Sequence, residues 1–203
     1  MIKKRLKTVL RRLLELIFND WIIEKFVTVY KHVFEDKVRK AVGKVALKTI
    51  EHQGKNCKFN GDVKVYYADG LKLGDNVRVG FGSFLFALGG IAIGNNTQIS
   101  RNVVIYSANH NTEGNAIPYD DEYILKPVVI GKSVWIGMNV LILPGVEIGD
   151  GAVIGMGTVI SKNVKPGEIV VGASQRSVKC RDLEKFNQLD EQGQYFAELW
   201  PDN

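Results

Sequence analysis

The chain has 203 residues, 45% hydrophobic and 24% charged, enough for one sizeable core and unlike the composition of disordered or fibrous proteins. Its net charge of +5 is unevenly placed, because residues 1–55 hold 14 Lys or Arg against 6 Asp or Glu and the remainder is net acidic. The two cysteines, Cys57 and Cys180, form no CxxC or metal-ligand spacing, which argues against a disulfide-built secreted scaffold and suits a reducing compartment.

The chain opens with MIKKRLKTVLRRLLELIFNDW, a basic start leading into an apolar run. Arg11, Arg12, Glu15 and Asp20 interrupt that run and no small-residue cleavage site follows, which argues against a signal peptide. No stretch approaches 18 consecutive apolar residues, so no membrane span is expected. Leu6, Leu10, Leu13, Leu14 and Ile17 recur at spacings of three and four, and residues 2–52 contain no proline and one glycine, Gly43. The pattern predicts amphipathic helices over 2–17 and about 20–51, within an N-terminal helical segment of residues 1–55. Two uses of the apolar stripe stay open. It packs on the rest of the protein or on a neighbouring subunit, or the basic helix lies on the anionic inner membrane surface. No aromatic-interleaved basic platform is present, so no nucleic-acid partner is expected.

A second organisation takes over from about Cys57 and defines a repeat domain over residues 56–172. It is irregular at first and becomes clear in LGDNVR VGFGSF from Leu73 and in IGNNTQ ISRNVV IYSANH from Ile93. The step from Leu85 to Ile93 is eight rather than six, so two residues bulge near Gly89 and Gly90. Residues 107–127, containing NHNTEGNAIPYDDEYILKP, break the pattern and predict a long external loop, a kind of segment that usually carries function or is disordered. Residues 130–165 then read IGKSVW IGMNVL ILPGVE IGDGAV IGMGTV ISKNVK. Isoleucine recurs at 130, 136, 142, 148, 154 and 160, and each fifth position is small or β-branched. A period of six is neither that of a helix nor that of a simple strand; it predicts a parallel β-helix, in which a short strand and a corner form one side and three sides return the chain above itself after 18 residues. Position one then points inward and stacks Ile on Ile, and helices are expected to cap the end edges. Residues 173–203 are expected to leave the sheets as a C-terminal helical tail.

From about residue 71 to 180 the chain resembles the hexapeptide-repeat acyltransferases, most closely the O-acetyltransferases of the galactoside and maltose type and their relatives in capsule and lipopolysaccharide synthesis. The resemblance rests on KPVVIGKSVWIGMNVLILPGVEIGDGAVIGMGTVISKNVKPGEIVVG. It implies a left-handed parallel β-helix, mainly β, assembled as a homotrimer with sites between subunits, and acetyl-CoA as co-substrate with no metal. It also implies a general base at the loop root, His110 in SANHN. A sugar hydroxyl is a poor nucleophile at neutral pH, and an imidazole can take its proton as the oxygen attacks a thioester. Asn102 matches an asparagine ahead of that histidine; a corner residue tolerant of left-handed geometry is the competing account. Trp135 matches a tryptophan beside the pantetheine arm, with simple apolar burial as the alternative. Ser161 and Lys162 match positions contacting pantetheine and phosphates, and Arg176 and Lys179 match basic residues near the adenine and 3′-phosphate end.

Three departures from the family pattern stand out. Small residues after IG become Met138 and Met156, 18 residues apart and therefore stacked, expected to line the pantetheine groove unless they face solvent or a subunit contact. The carboxylate usual on the acceptor side falls near Leu88, where GFGSFLFALGG has no acid. The terminal GNPA or GVPC is GASQ at Gly172–Gln175. The expected function is therefore cytoplasmic acetyl transfer to a sugar hydroxyl in surface-polysaccharide synthesis. N-acetylation of an amino sugar or an antibiotic, and a non-enzymatic β-helix scaffold, are the competing readings. A carbonic anhydrase of the same fold would need three zinc-binding histidines, and only His110 falls in the coil.

Overall fold

The computed structural model describes residues 20–172, together with 184–185, 188 and 191–192. The expected helix over 2–17, Cys180, Arg176 and Lys179 lie outside the described residues. Of the expected C-terminal tail, Glu184, Lys185, Gln188 and Glu191 are helical. The chain divides into two compact units at Ala41 and Val42.

The described part of the first unit is helical throughout. Helix α1 (Asp20–Val29) runs through a π-helical turn at Tyr30–Phe34 into α2 (Glu35–Leu47), which crosses the unit boundary. Its apolar positions, Ile22, Ile23, Phe26, Val27, Val29, Tyr30, Val33 and Phe34, follow helical spacing and all are exposed. The salt bridge from Arg39 to Glu35 at 2.9 Å joins neighbouring turns and contributes only a few tenths of a kcal/mol, roughly, at that exposure. Among the described residues no helix is long and apolar enough to cross a membrane.

The second unit is a parallel β-solenoid of about six turns with three faces. The first face holds β1 (His52–Gln53), β4 (Leu71–Leu73), β7 (Ile91–Ile93), β12 (Val128–Ile130) and β15 (Glu147–Ile148). The second holds β2 (Lys58–Asn60), β5 (Arg78–Gly80), β8 (Gln98–Ile99), β13 (Trp135–Ile136), β16 (Val153–Ile154) and β18 (Ile169–Val170). The third holds β3 (Lys64–Tyr66), β6 (Phe84–Phe86), β9 (Val104–Tyr106), β14 (Leu141–Ile142) and β17 (Val159–Ile160). The solenoid begins at His52, a few residues ahead of the expected start.

Register gives the coil lengths. His52 pairs with Lys72 and Leu71 with Ile91, whereas Ile91 pairs with Val128 and Ile130 with Ile148. The hexad period of 18 therefore governs only the later coils. Earlier coils are longer by two residues, taken up where the third face turns into the first, at the 3-10 turn Ala68–Gly70 and at Ala87–Gly90. That second place is the bulge expected near Gly89. The insertion 107–127 leaves from this same corner one coil later.

The isoleucine column is the core. Ile130, Ile136, Ile142, Ile148, Ile154 and Ile160 are all at most 3% exposed, and the fifth positions Val134, Val140, Val146, Ala152, Thr158 and Val164 are buried beside them. Thr158 is tolerated there because its hydroxyl donates to the Gly155 carbonyl at 2.8 Å. Glycine after isoleucine has an equally local cause. A Cβ on Gly131 would lie 2.7 Å from the Asp150 amide nitrogen and closer still to the Asp150 carboxylate, which accepts from the Lys132 N–H at 2.9 Å. The same corner carries Asn56, Asn76 and Asn96 in left-handed conformation, their amides bonded one to the next at 3.2 and 2.9 Å.

Candidate active site

The insertion is ordered by its own pairing. Strand β10 (Ala108–His110) runs antiparallel to β11 (Tyr123–Leu125), with His110 opposite Tyr123. Asn111 donates its side-chain amide to Asp120 at 3.0 Å, and Asp120 in turn accepts from the Glu122 N–H at 3.1 Å. Asp120 is 7% exposed, so a carboxylate buried and hydrogen-bonded in this way fixes the fold of the loop. Lys185 donates to the Glu113 carbonyl.

This hairpin sets His110 at the loop root, half-buried, with its Nδ1 buried. The imidazole stacks on Tyr119 at 3.8 Å between centroids and 15° between planes, and meets Tyr123 at 4.6 Å. Two aromatic walls leave the ring little rotational freedom, which is the preorganisation a proton-transfer group needs. Burial, and then the neighbouring phenols of Tyr67, Tyr119 and Tyr106, push the Tyr123 hydroxyl above its ordinary range. It therefore stays protonated, a hydrogen-bond donor, throughout neutral pH. The sequence analysis does not single out Tyr119 and Tyr123; their signal there is two tyrosines four residues apart, flanking the three acidic residues of YDDEY.

Five of the other expected site residues fall on two edges of the solenoid. Ser161 and Lys162 are exposed at the corner between the third and first faces, the edge that also carries the insertion. Asn102, Met138 and Met156 stand at the corner between the second and third faces. Met138 and Met156 are one coil apart there, as the pairing of Ile136 with Ile154 requires. Met156 is 65% exposed, while half-buried Met138 receives the Arg101 Nε at 3.0 Å from its sulfur. Asn102 has φ 57 and its amide oxygen lies where a Cβ on Gly82 would stand, so the corner geometry accounts for an asparagine here. β9 separates it from the strand that ends at His110. Trp135 lies on the second face and is 59% exposed, so apolar burial does not account for it. Arg176 and Lys179 lie outside the described residues. Among the described residues no group of three or more His, Cys, Asp or Glu is placed to hold a metal.

Residues 127–162 match the family described as bacterial transferase hexapeptide (six repeats), and residues 70–107 match the hexapeptide repeat of succinyl-transferase. A maltose O-acetyltransferase from Clostridium difficile 630 is 29% identical with a TM-score of 0.60, over 73% of this chain and 79% of that one. A hexapeptide-repeat containing acetyltransferase from Vibrio cholerae is 26% identical with a TM-score of 0.58, over 72% and 81%. A candidate acetyltransferase of Dictyostelium discoideum is 30% identical over 84 residues, 41% of this chain. The chain spans 44% of that curated relative's length.

Proposed function

We propose, from the match of residues 70–107 and 127–162 to hexapeptide-repeat transferases, that the chain transfers an acetyl group from acetyl-CoA to a hydroxyl of a surface-polysaccharide sugar. The observation that carries this is the placement of His110, packed against Tyr119 and Tyr123 on the edge shared with Ser161 and Lys162. In the reaction His110 takes the proton of the sugar hydroxyl as its oxygen attacks the thioester carbonyl. A C–O bond forms, the C–S bond breaks, and the imidazolium returns its proton to the leaving thiolate. The protonated Tyr123 hydroxyl is suited to donate to the acceptor. Ser161, Lys162, Arg176 and Lys179 hold the pantetheine and phosphates in this reading, with Trp135, Met138 and Met156 along the arm.

Because His110, Ser161 and Lys162 occupy one edge of a protomer and Met138 and Met156 another, with the third face between them, a site drawing on two copies accommodates them better than one protomer does. The working form in this reading is the homotrimer that the family resemblance implies, and the acetyl-CoA donor together with a free Cys57 suits a cytoplasmic protein. Full-length protein incubated with acetyl-CoA and a sugar panel should release CoA thiol and leave a hydroxylamine-labile ester on the sugar. A hydroxylamine-stable product would mean transfer to nitrogen, and a monomer in sedimentation would break the two-copy site.

The helical unit points to a second partner. The exposed apolar side of α1, with Trp21 at 65% and Phe26 at 70%, follows a strongly basic N-terminal sequence, a combination that suits an anionic lipid surface. The full chain should co-sediment with vesicles of mixed phosphatidylglycerol and phosphatidylcholine, and Phe26→Glu should weaken that binding at least about tenfold. Equal recovery with pure phosphatidylcholine vesicles, or none with either, would remove the membrane from this account.

A further inference from the structure

A row of aromatic rings leads from His110 across the third face. Tyr123, beside His110, meets Phe86 at 5.9 Å; Phe86 meets Tyr106 at 5.0 Å and Tyr67 at 5.2 Å; Tyr106 meets Phe84 at 5.6 Å, and Phe84 meets Tyr66 at 5.1 Å. Register produces the row. Tyr66, Phe86 and Tyr106 are partners one above another, as are Lys64, Phe84 and Val104, all outward while Leu85 and Ile105 point into the core. Further along, the same face turns aliphatic at Leu141, Leu143 and Val159. The rings are thus confined to the coil that bears the insertion and the two before it.

Building on the acetyl-transfer reading with His110 as base, we propose that this row is the acceptor platform and that it takes a carbohydrate chain of several units in preference to a free monosaccharide. Phe86 and Phe84 lie within 14° of parallel to Tyr106, with centroids 5.0 and 5.6 Å away, and all three side chains are partly exposed. Tyr66 and Tyr67 are about half exposed. A pyranose presents one face of C–H groups and a rim of hydroxyls, which matches tyrosines with an apolar body and a polar tip. A sugar whose hydroxyl sits at His110 covers Tyr123; Phe84 and Tyr66 lie further ring contacts away and are met only by additional units. The coils repeat at roughly 4.8 Å, comparable to the advance of a sugar chain per unit. Of the six outward positions on β3, β6 and β9 only Lys64 is charged, too little to hold a pyrophosphate, so a nucleotide-linked sugar fits less well. The missing acid near Leu88 agrees with recognition by stacking instead of by a carboxylate.

The test uses the full chain with acetyl-CoA and malto-, cello- and laminari-oligosaccharides of one, two and four units. Catalytic efficiency should rise at least about tenfold from monosaccharide to tetrasaccharide in one series, the scale of one or two ring contacts. Phe84→Ala and Tyr66→Ala should erase that rise through KM with kcat unchanged, and Tyr66→Phe should keep it. Saturation-transfer NMR of the tetrasaccharides without acetyl-CoA should show contact to aromatic protons in the parent chain and not in Phe84→Ala. That arm separates the two readings, since binding without thiol release keeps the platform and removes the acetyl transfer. The platform is overturned by absence of both length preference and saturation transfer in every series. It is equally overturned by losses that are the same for monosaccharide and tetrasaccharide, or by a Phe84→Ala chain that falls apart in sedimentation because a second copy covers this face.

Discussion

His110→Ala is expected to lower acetyl transfer at least about 100-fold while leaving acetyl-CoA affinity nearly unchanged, the scale and signature of a lost general base. The separation of the two effects follows from position. The imidazole is held by loop rings, Tyr119 and Tyr123, whereas Ser161, Lys162, Met138 and Met156, assigned to the coenzyme, stand at corners of the solenoid itself and not on the loop. Stopped-turnover assays and equilibrium binding of acetyl-CoA measure the two quantities independently. Retained turnover would move the base to another loop group. Asp120 is poorly suited to that role because its carboxylate already accepts from Asn111 and Glu122.

The second large effect is on stability. Ile136→Ala should cost about 2–5 kcal/mol, a large share of the roughly 5–15 kcal/mol available to a domain. Ile136 is fully buried and stacks between Ile99 and Ile154 of the adjoining coils, so the cavity opens toward both neighbours. Rigid backbone pairing above and below limits how far the site can collapse, which keeps the cost toward the upper part of that range. Ile169→Ala, at a position 71% exposed, should by contrast stay within about 0.5 kcal/mol. Equal urea midpoints for the two variants would contradict the assignment of the isoleucine column as the principal core.

The residues that repeat by six announced the fold, because in a solenoid each inward position is set by the local corner alone. Ile130 to Ile160 are therefore readable without knowing what lies above or below. The third face was not readable by that rule. Phe84, Phe86 and Tyr106 come together only if the early coils are 20 residues long, the spacing at which Lys55 meets Asp75, and the hexad pattern implies 18. A signal did exist in the sequence: Tyr66, Phe86 and Tyr106 recur at that longer interval, as do Asn56, Asn76 and Asn96. Asn102 and Trp135 illustrate the converse difficulty. A motif match gives a residue a role in the family, but only the φ of 57 at Asn102 and the exposure of Trp135 distinguish a corner residue from a buried one. The insertion was visible as a break in pattern, whereas its hairpin was not, since the pairing of His110 with Tyr123 depends on which corner anchors both ends.

Among the described residues each coil of the solenoid pairs its strands only with the coil before it and the coil after it, so the solenoid holds together like a stack of coins. Such a stack loosens from its ends. Terminal members have one neighbour where inner members have two, and opening an inner member means breaking two contacts at once. The insertion carrying His110 departs from the middle of that stack. Fraying or sequence drift in the terminal coils can thus be absorbed over several layers before the geometry around the imidazole changes, which gives the chemistry a buffer that a site near an end would lack.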